Sequence, residues 1–239
     1  MKITGDMQGT VLSLRANGLS TAEIAKKVGL SIRSVQRIAR ATAYHEAGHA
    51  AVGAILGQHP DWATIKPDPK TNILAEVTEV DGDLHTADGL KKEIINCYAG
   101  QSAELRAGGS SRRAKLGAKL DNEIARDCIL RLHGKDLGEK QLLAFEKEMR
   151  SAANDFVEEH WGLIERIAAE LLRNTTLVLE ELDILRAIYQ GEKTEDDLRR
   201  LREALANLNE QCSVIGKTAV YKGSTKEFGP EIISTWSCE

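Results

Sequence analysis

The 239-residue sequence predicts a mainly α-helical protein with one small β-hairpin, and three observations carry that prediction. Aromatic residues make up only 4% of the chain while alanine, leucine, glutamate and arginine abound, a balance that favours helices over a β-sandwich. Apolar residues recur at helical spacing through most segments. Only one pair of short runs, near Ile65 and Val77 and joined by Pro67-Asp68-Pro69-Lys70-Thr71-Asn72, carries a β signal. With 42% hydrophobic and 28% charged residues the composition is that of a globular chain, long enough for one sizeable core and a small appended module.

Residues 1–40 are the first expected module, three short helices with a sharp turn between the second and third. Val11, Leu12 and Leu14 give the first an apolar side, ended by Asn17-Gly18. Ser20 caps the second, Thr21 to Val28, with Glu23 completing a capping box. Gly29 breaks the chain and Ser31 caps the third helix. The run Gly18 to Ser31 resembles the helix-turn-helix of resolvase-like and sigma-factor-like DNA-binding modules, with Ala25 where two helices touch and Val35 and Ile38 on the core face. That resemblance places Ile32, Arg33, Gln36 and Arg37 where they reach base edges, and Arg40, Lys26 and Lys27 at phosphates. Charge agrees with an anionic partner: this segment holds seven basic against two acidic residues, a net +5, and the remainder 25 against 34, a net −9. A trihelical cap without DNA-binding activity is the competing expectation.

From Ser31 to Leu56 there is no proline, so one long helix is expected. Val35, Ile38, Thr42, His45, His49, Val52 and Leu56 follow alternating steps of three and four and share one stripe. Within it lies His45-Glu46-Ala47-Gly48-His49, an H-E-x-x-H segment. Residues four apart lie about one turn apart on one helical face, so both imidazoles can converge on one ion, and two neutral nitrogens at that spacing suit zinc. Glu46 then stands where a general base takes a proton from water. Small and apolar neighbours, among them Ala47, Ala50, Ala51 and Val52, point to a buried helix, where histidines and a glutamate need partners.

Past Gly57, His59-Pro60-Asp61 is expected to end this helix, and residues around Leu74 to Val80 are candidates to hold an extended substrate by strand addition. Residues 86–107 form the next expected helix, with Ile94, Ile95, Tyr98 and Ala99 inside. A Gly/Ser/Arg-rich loop is expected from Gly108 to Lys115 as a mobile rim. Asp121 follows at the start of a helix running through Ile124, Cys128, Ile129 and Leu132; there a carboxylate is either a capping residue or a metal ligand.

Taken together, these segments resemble the peptidase domain of the FtsH-type zinc proteases over residues 41–191. Ala43 to Ala50 matches the metal helix, Ala63 to Pro67 with Leu74 to Thr78 the hairpin, and Tyr98 to Leu105 the Gly-Gly-Arg-Ala-Ala-Glu-Glu helix, with Gln101 where the arginine stands. Gly117-Ala118-Lys119-Leu120-Asp121 is similar to the Gly-Ala-Ser-Asn-Asp segment, and Phe156 to Ile188, with its Asn174 to Leu177 break, to the closing helices. The resemblance implies Zn²⁺ held by His45, His49 and Asp121, Glu46 as the catalytic base, and hydrolysis of peptide or unfolded protein substrates. The family's ATPase module is not expected here, because Gly216-Lys217-Thr218 lacks the first glycine and the preceding strand of a phosphate loop, and a separate ATPase as partner stays open. An oligomer stays open. The runner-up reading is a DNA-associated regulator with the peptidase fold as scaffold, or one that cleaves a repressor.

Residues 192–239 form the third expected part, a charged helix from Glu195 to Asn209 and an extension rich in Gly, Ser, Thr and Lys. His133 and His160 have no neighbour at metal spacing. Cys97, Cys128, Cys212 and Cys238 form no C-x-x-C pair and read as free thiols in a reducing compartment. With no apolar run near the ~20 residues that span a bilayer and no signal-peptide opening, the expected location is cytoplasmic, with no membrane partner.

Overall fold

A computed structural model describes residues 4–68, 76–80, 84–134, 137–214, 219–221 and 236–238. Among them ten helices dominate, with a small antiparallel pairing of β1 (His59–Thr64) and β2 (Glu76–Val80), so the mainly α class is observed. The chain divides into two compact units, Met1–Leu177 and Val178–Glu239. No helix among the described residues is long and apolar enough to cross a membrane.

The first unit begins with three helices whose ends the sequence dictates. Thr4 caps α1 (Gly5–Ala16), and Ser20 caps α2 (Thr21–Val28) through the reciprocal box, its N–H donating to Glu23 Oε2 at 2.8 Å. Gly29 takes φ +68, a left-handed geometry open to glycine without strain. Ser31 caps α3, which runs unbroken from Ile32 to Leu56. Val11, Leu12, Ile24, Ala25, Val35, Ile38 and Ala39 form the apolar centre of this trihelical part, with Leu172 packed against it. Arg15 ties the same corner by donating to the Leu172 carbonyl.

Against α3 pack α4 (Ala87–Arg106) and α8 (Trp161–Asn174), while α6 (Lys119–His133) and α7 (Glu139–Glu159) pack chiefly on α4. Leu90, Ile94, Cys97 and Tyr98 of α4 meet Ala125, Cys128 and Ile129 of α6 and Leu142, Met149 and Ala153 of α7 in a second apolar cluster. Cys97 and Cys128 are buried there, and Cys97 Sγ donates to Glu93 Oε1 at 3.5 Å.

Two local expectations need correction. Gly57, at φ +81, closes α3, and β1 starts two residues later, so Pro60 lies inside the strand. The register slips between Pro60 and Trp62, and this bulge at Asp61 accommodates a residue that has no N–H to give. The stretch expected as a loop from Gly108 to Lys115 is partly helical, as α5 (Ser111–Gly117). The Ser110 carbonyl accepts from Arg113 and Ala114, and the Arg113 side chain anchors the turn to α3. Of the proposed substrate strand, Leu74 and Ala75 lie outside the described residues, whereas Glu76–Val80 forms β2 at a sheet edge, in the order β2-β1-β3 with β3 at Thr176–Val178.

The break expected at Asn174 to Leu177 occurs, and Thr175 turns the chain at φ +62. A β-branched residue in this region is strained unless its surroundings hold it. Here its N–H donates to Leu171 O at 2.9 Å and its carbonyl accepts from Ile65 N at 2.8 Å and the Thr64 hydroxyl at 3.2 Å.

In the second unit α9 (Leu179–Tyr189) starts where the Val178 N–H donates to Glu181 Oε2 at 3.2 Å. Glu181 also accepts from Arg202 of α10 (Glu195–Val214) at 2.7 Å. Two short strands, β4 (Ala219–Tyr221) and β5 (Trp236–Cys238), pair antiparallel. Gly216-Lys217-Thr218 lies outside the described residues.

Candidate metal centre

Two helices bring the three side chains together. Both histidines come from α3, and Asp121 sits in the first turn of α6. His45 Nε2 lies 3.1 Å from Asp121 Oδ2, and His49 Nε2 lies 3.7 Å from the same oxygen. One donor atom from each of the three falls within 4.8 Å of the other two. Of the two readings for Asp121, the geometry disfavours the cap: the residue at the N-cap is Ala118, no side chain caps this helix, and the Asp121 carboxylate turns to the histidines.

The opposite nitrogens of the rings fix which nitrogen faces the centre. His49 Nδ1 donates to the Asn96 carbonyl of α4 at 2.9 Å, which leaves Nε2 as the lone-pair nitrogen. His45 Nδ1 faces Glu104 Oε2 at 3.6 Å, an ion-pair distance rather than a formed hydrogen bond. Glu104 is 2% exposed, and its other oxygen lies 3.4 Å from Arg113 Nε. Arg113 in turn donates to Thr42 Oγ1 at 2.9 Å and to the Ile38 carbonyl at 3.2 Å, so α5 clamps Glu104 against α3.

Electrostatics make this junction a place for positive charge. Burial pulls the His45 pKa down, yet the hydrogen bond to Asp121, the Glu104 carboxylate beside Nδ1 and the charges of Glu46 and Asp121 outweigh it and raise His45 to about 10. His49 is raised too: burial opposes, and the charge and hydrogen bond of Asp121 prevail. For Asp121 burial works upward, but the two imidazoles hold it well below the usual carboxylate range. Two imidazole nitrogens and one carboxylate oxygen, with the His49 tautomer pinned from outside, could hold a metal ion, and this donor set fits zinc. Glu46, 6% exposed, follows His45 on α3.

Glycines allow the helices to approach this closely. A Cβ on Gly48 would lie 2.7 Å from the Ala99 carbonyl oxygen, and one on Gly100 would lie 2.3 Å from His49 Nε2. Sequence reading quoted Glu104 and Gly100 only as part of a helix and gave Asn96 and Arg113 no role. One signal could have found them: Asn96, Gly100, Ala103 and Glu104 share a face of α4, and a face of small residues with a glutamate on it implies close packing and a buried carboxylate in need of a partner.

The candidate DNA-contact residues stand apart from this centre. Arg33, Gln36, Arg37 and Arg40 are all exposed along the N-terminal half of α3, as are Lys26 and Lys27 on α2, and Ile32 is half exposed. The Arg40 guanidinium lies over the Tyr44 ring at 5.1 Å. His133 is exposed against Phe145, and His160 joins α7 to α8, both outside the metal cluster.

A first prediction tests the outer carboxylate. Glu104→Gln keeps the shape but removes the charge facing His45 Nδ1, and metal affinity should fall about 10- to 100-fold. Competition with a chromophoric chelator measures it, and unchanged affinity would remove Glu104 from the site. Compared with known proteins, the chain matches no family model and no curated protein.

Proposed function

We propose that this chain is a zinc-dependent peptidase of FtsH-like architecture that hydrolyses peptide bonds in unfolded or flexible polypeptides, independent of ATP by itself. The observation that carries the reading is the convergence of His45, His49 and Asp121, from two separate helices, beside the buried Glu46. His45, His49 and Asp121 would hold the ion, which supplies Lewis-acid polarisation of a carbonyl and acidification of water when bound. Glu46 is the general base: its carboxylate takes the proton from the water that attacks the scissile carbonyl carbon, and then gives it to the leaving amine nitrogen. Asn96 and Glu104 keep both imidazoles turned the right way, and β2 offers an edge along which an extended substrate can pair.

Casein-like chains should be cut and compact globular proteins spared, with cleavage stopped by a chelator and restored by zinc. Gel electrophoresis of the digests reads the result. A purified, zinc-loaded chain that leaves every unfolded substrate intact would overturn the reading.

A second reading is favoured by one observation, the exposure of Arg33, Gln36, Arg37 and Arg40 on the very helix that carries the histidines. In it the N-terminal module reads DNA, and the peptidase part serves as scaffold or cleaves a repressor. Sequence-selective binding with a Kd of about 10⁻⁸ M or tighter at physiological salt, weakening steeply as salt rises, would establish it. Its absence in a gel-shift titration at two salt concentrations would leave the module as a cap on the peptidase.

A further inference from the structure

A cavity of about 620 Å³ opens between α4, α6 and α7, and its walls hold two cations and no carboxylate. Two of its lining residues are next in sequence to the metal centre: Asn122 directly follows Asp121, and Gln101 directly follows Gly100, the residue against which the His49 ring lies. Arg150 forms its floor. The guanidinium stacks on the Tyr98 ring at 3.9 Å and donates to Gln101 Oε1 at 3.1 Å and Asn122 Oδ1 at 2.6 Å. It is therefore held in place by neutral acceptors. Glu146, one turn earlier on α7, shares a neighbouring depression with Arg150 and its charge acts on Tyr98, but it forms no ion pair with Arg150 among the described residues.

The amides sharpen the polarity. A guanidinium only donates, so Gln101 and Asn122 must present oxygen to it. Asn154 likewise accepts from the Ser102 hydroxyl at 2.5 Å. With these oxygens engaged, the NH₂ groups of Gln101 and Asn154 are the donors these side chains have left, and Lys115 lines the same cavity. Amide donors and two positive charges, with no carboxylate in the lining, suit an anion.

We propose that this cavity binds a carboxylate of the polypeptide substrate, seating the chain beside the metal centre; the proposal rests on the peptidase reading above. The carboxylate can be the C-terminal group or a Glu or Asp side chain, and the same chemistry receives both.

Binding of fluorescein-labelled hexapeptides to zinc-loaded Glu46→Gln protein, read by anisotropy, tests it. Three peptides suffice: one with a single Glu and an amidated C-terminus, one with Gln and a free C-terminus, and one with Gln and an amide. At least one acid peptide should bind about 10- to 100-fold tighter than the neutral one, and Arg150→Gln or Lys115→Gln should reduce that preference. Whichever acid peptide gains the preference identifies the source. Equal binding of all three, or a preference unchanged in both variants, would overturn the proposal. Lys115 is exposed, so its variant reports even where Arg150→Gln disturbs the fold. Cleavage by the parent protein is scored separately: selective binding without cleavage of any peptide sinks the peptidase reading and leaves the carboxylate site standing, while indifferent cleavage of all three does the reverse.

Discussion

Glu46→Gln should retain about one zinc per chain and lose about 10²- to 10⁴-fold in kcat. The carboxamide occupies nearly the same volume in a site where Glu46 is only 6% exposed, so packing of α3 against its neighbours is kept. What disappears is the ability to accept a proton from water and return it to the leaving nitrogen. The candidate ligands are the imidazoles and Asp121, so metal content should not follow the activity down. Elemental analysis and turnover on a fluorogenic peptide, measured on the same preparation, separate the two effects. Undiminished turnover would take Glu46 out of the mechanism.

Gly100→Ala should be nearly as damaging, though it adds only one methyl group. The new Cβ would sit 2.3 Å from His49 Nε2 and 2.8 Å from Cδ2 and Cε1, closer than any atoms tolerate. The ring cannot retreat freely, because Nδ1 is bound to the Asn96 carbonyl at 2.9 Å, so either that bond breaks or α4 moves away from α3. Overpacking of this kind costs about 1–3 kcal/mol of stability. A ligand displaced by even a fraction of its length should lower zinc affinity by about 10- to 100-fold or more. Gly5→Ala is the control, since nothing lies within 4 Å of a Cβ there. Parental zinc affinity in the Gly100 variant would show that the close approach of α4 does not shape the centre.

How much of this was legible beforehand depended on the range over which each feature is determined. Local signals were read correctly: the Ser20 to Glu23 box, the turn at Gly29 and the uninterrupted run from Ser31 to Leu56 are set by residues three or four apart. The stripe through Val35, Ile38, Thr42 and His45 is likewise a property of one helix, and all four are buried. Asp121 was different, because 76 residues separate it from His45. Periodicity offers no information on where α6 comes to lie, and only the resemblance distinguished ligand from cap. Glu104 and Arg113 depend on the docking of α4 and α5 against α3, which no local pattern states. Pro60 misled because a bulge, a feature of the paired strands, made room for it. The helical turn at Ser111 was hidden for a similar reason: the anchors of Arg113 lie on another element.

The site rests on two imidazoles and a carboxylate acting together on one ion, and metal content tests that claim most directly. Purified protein should contain about one zinc per chain, and the His45→Ala, His49→Ala double variant should contain almost none while its helical circular dichroism is kept. Equal zinc content in parent and double variant would contradict the account.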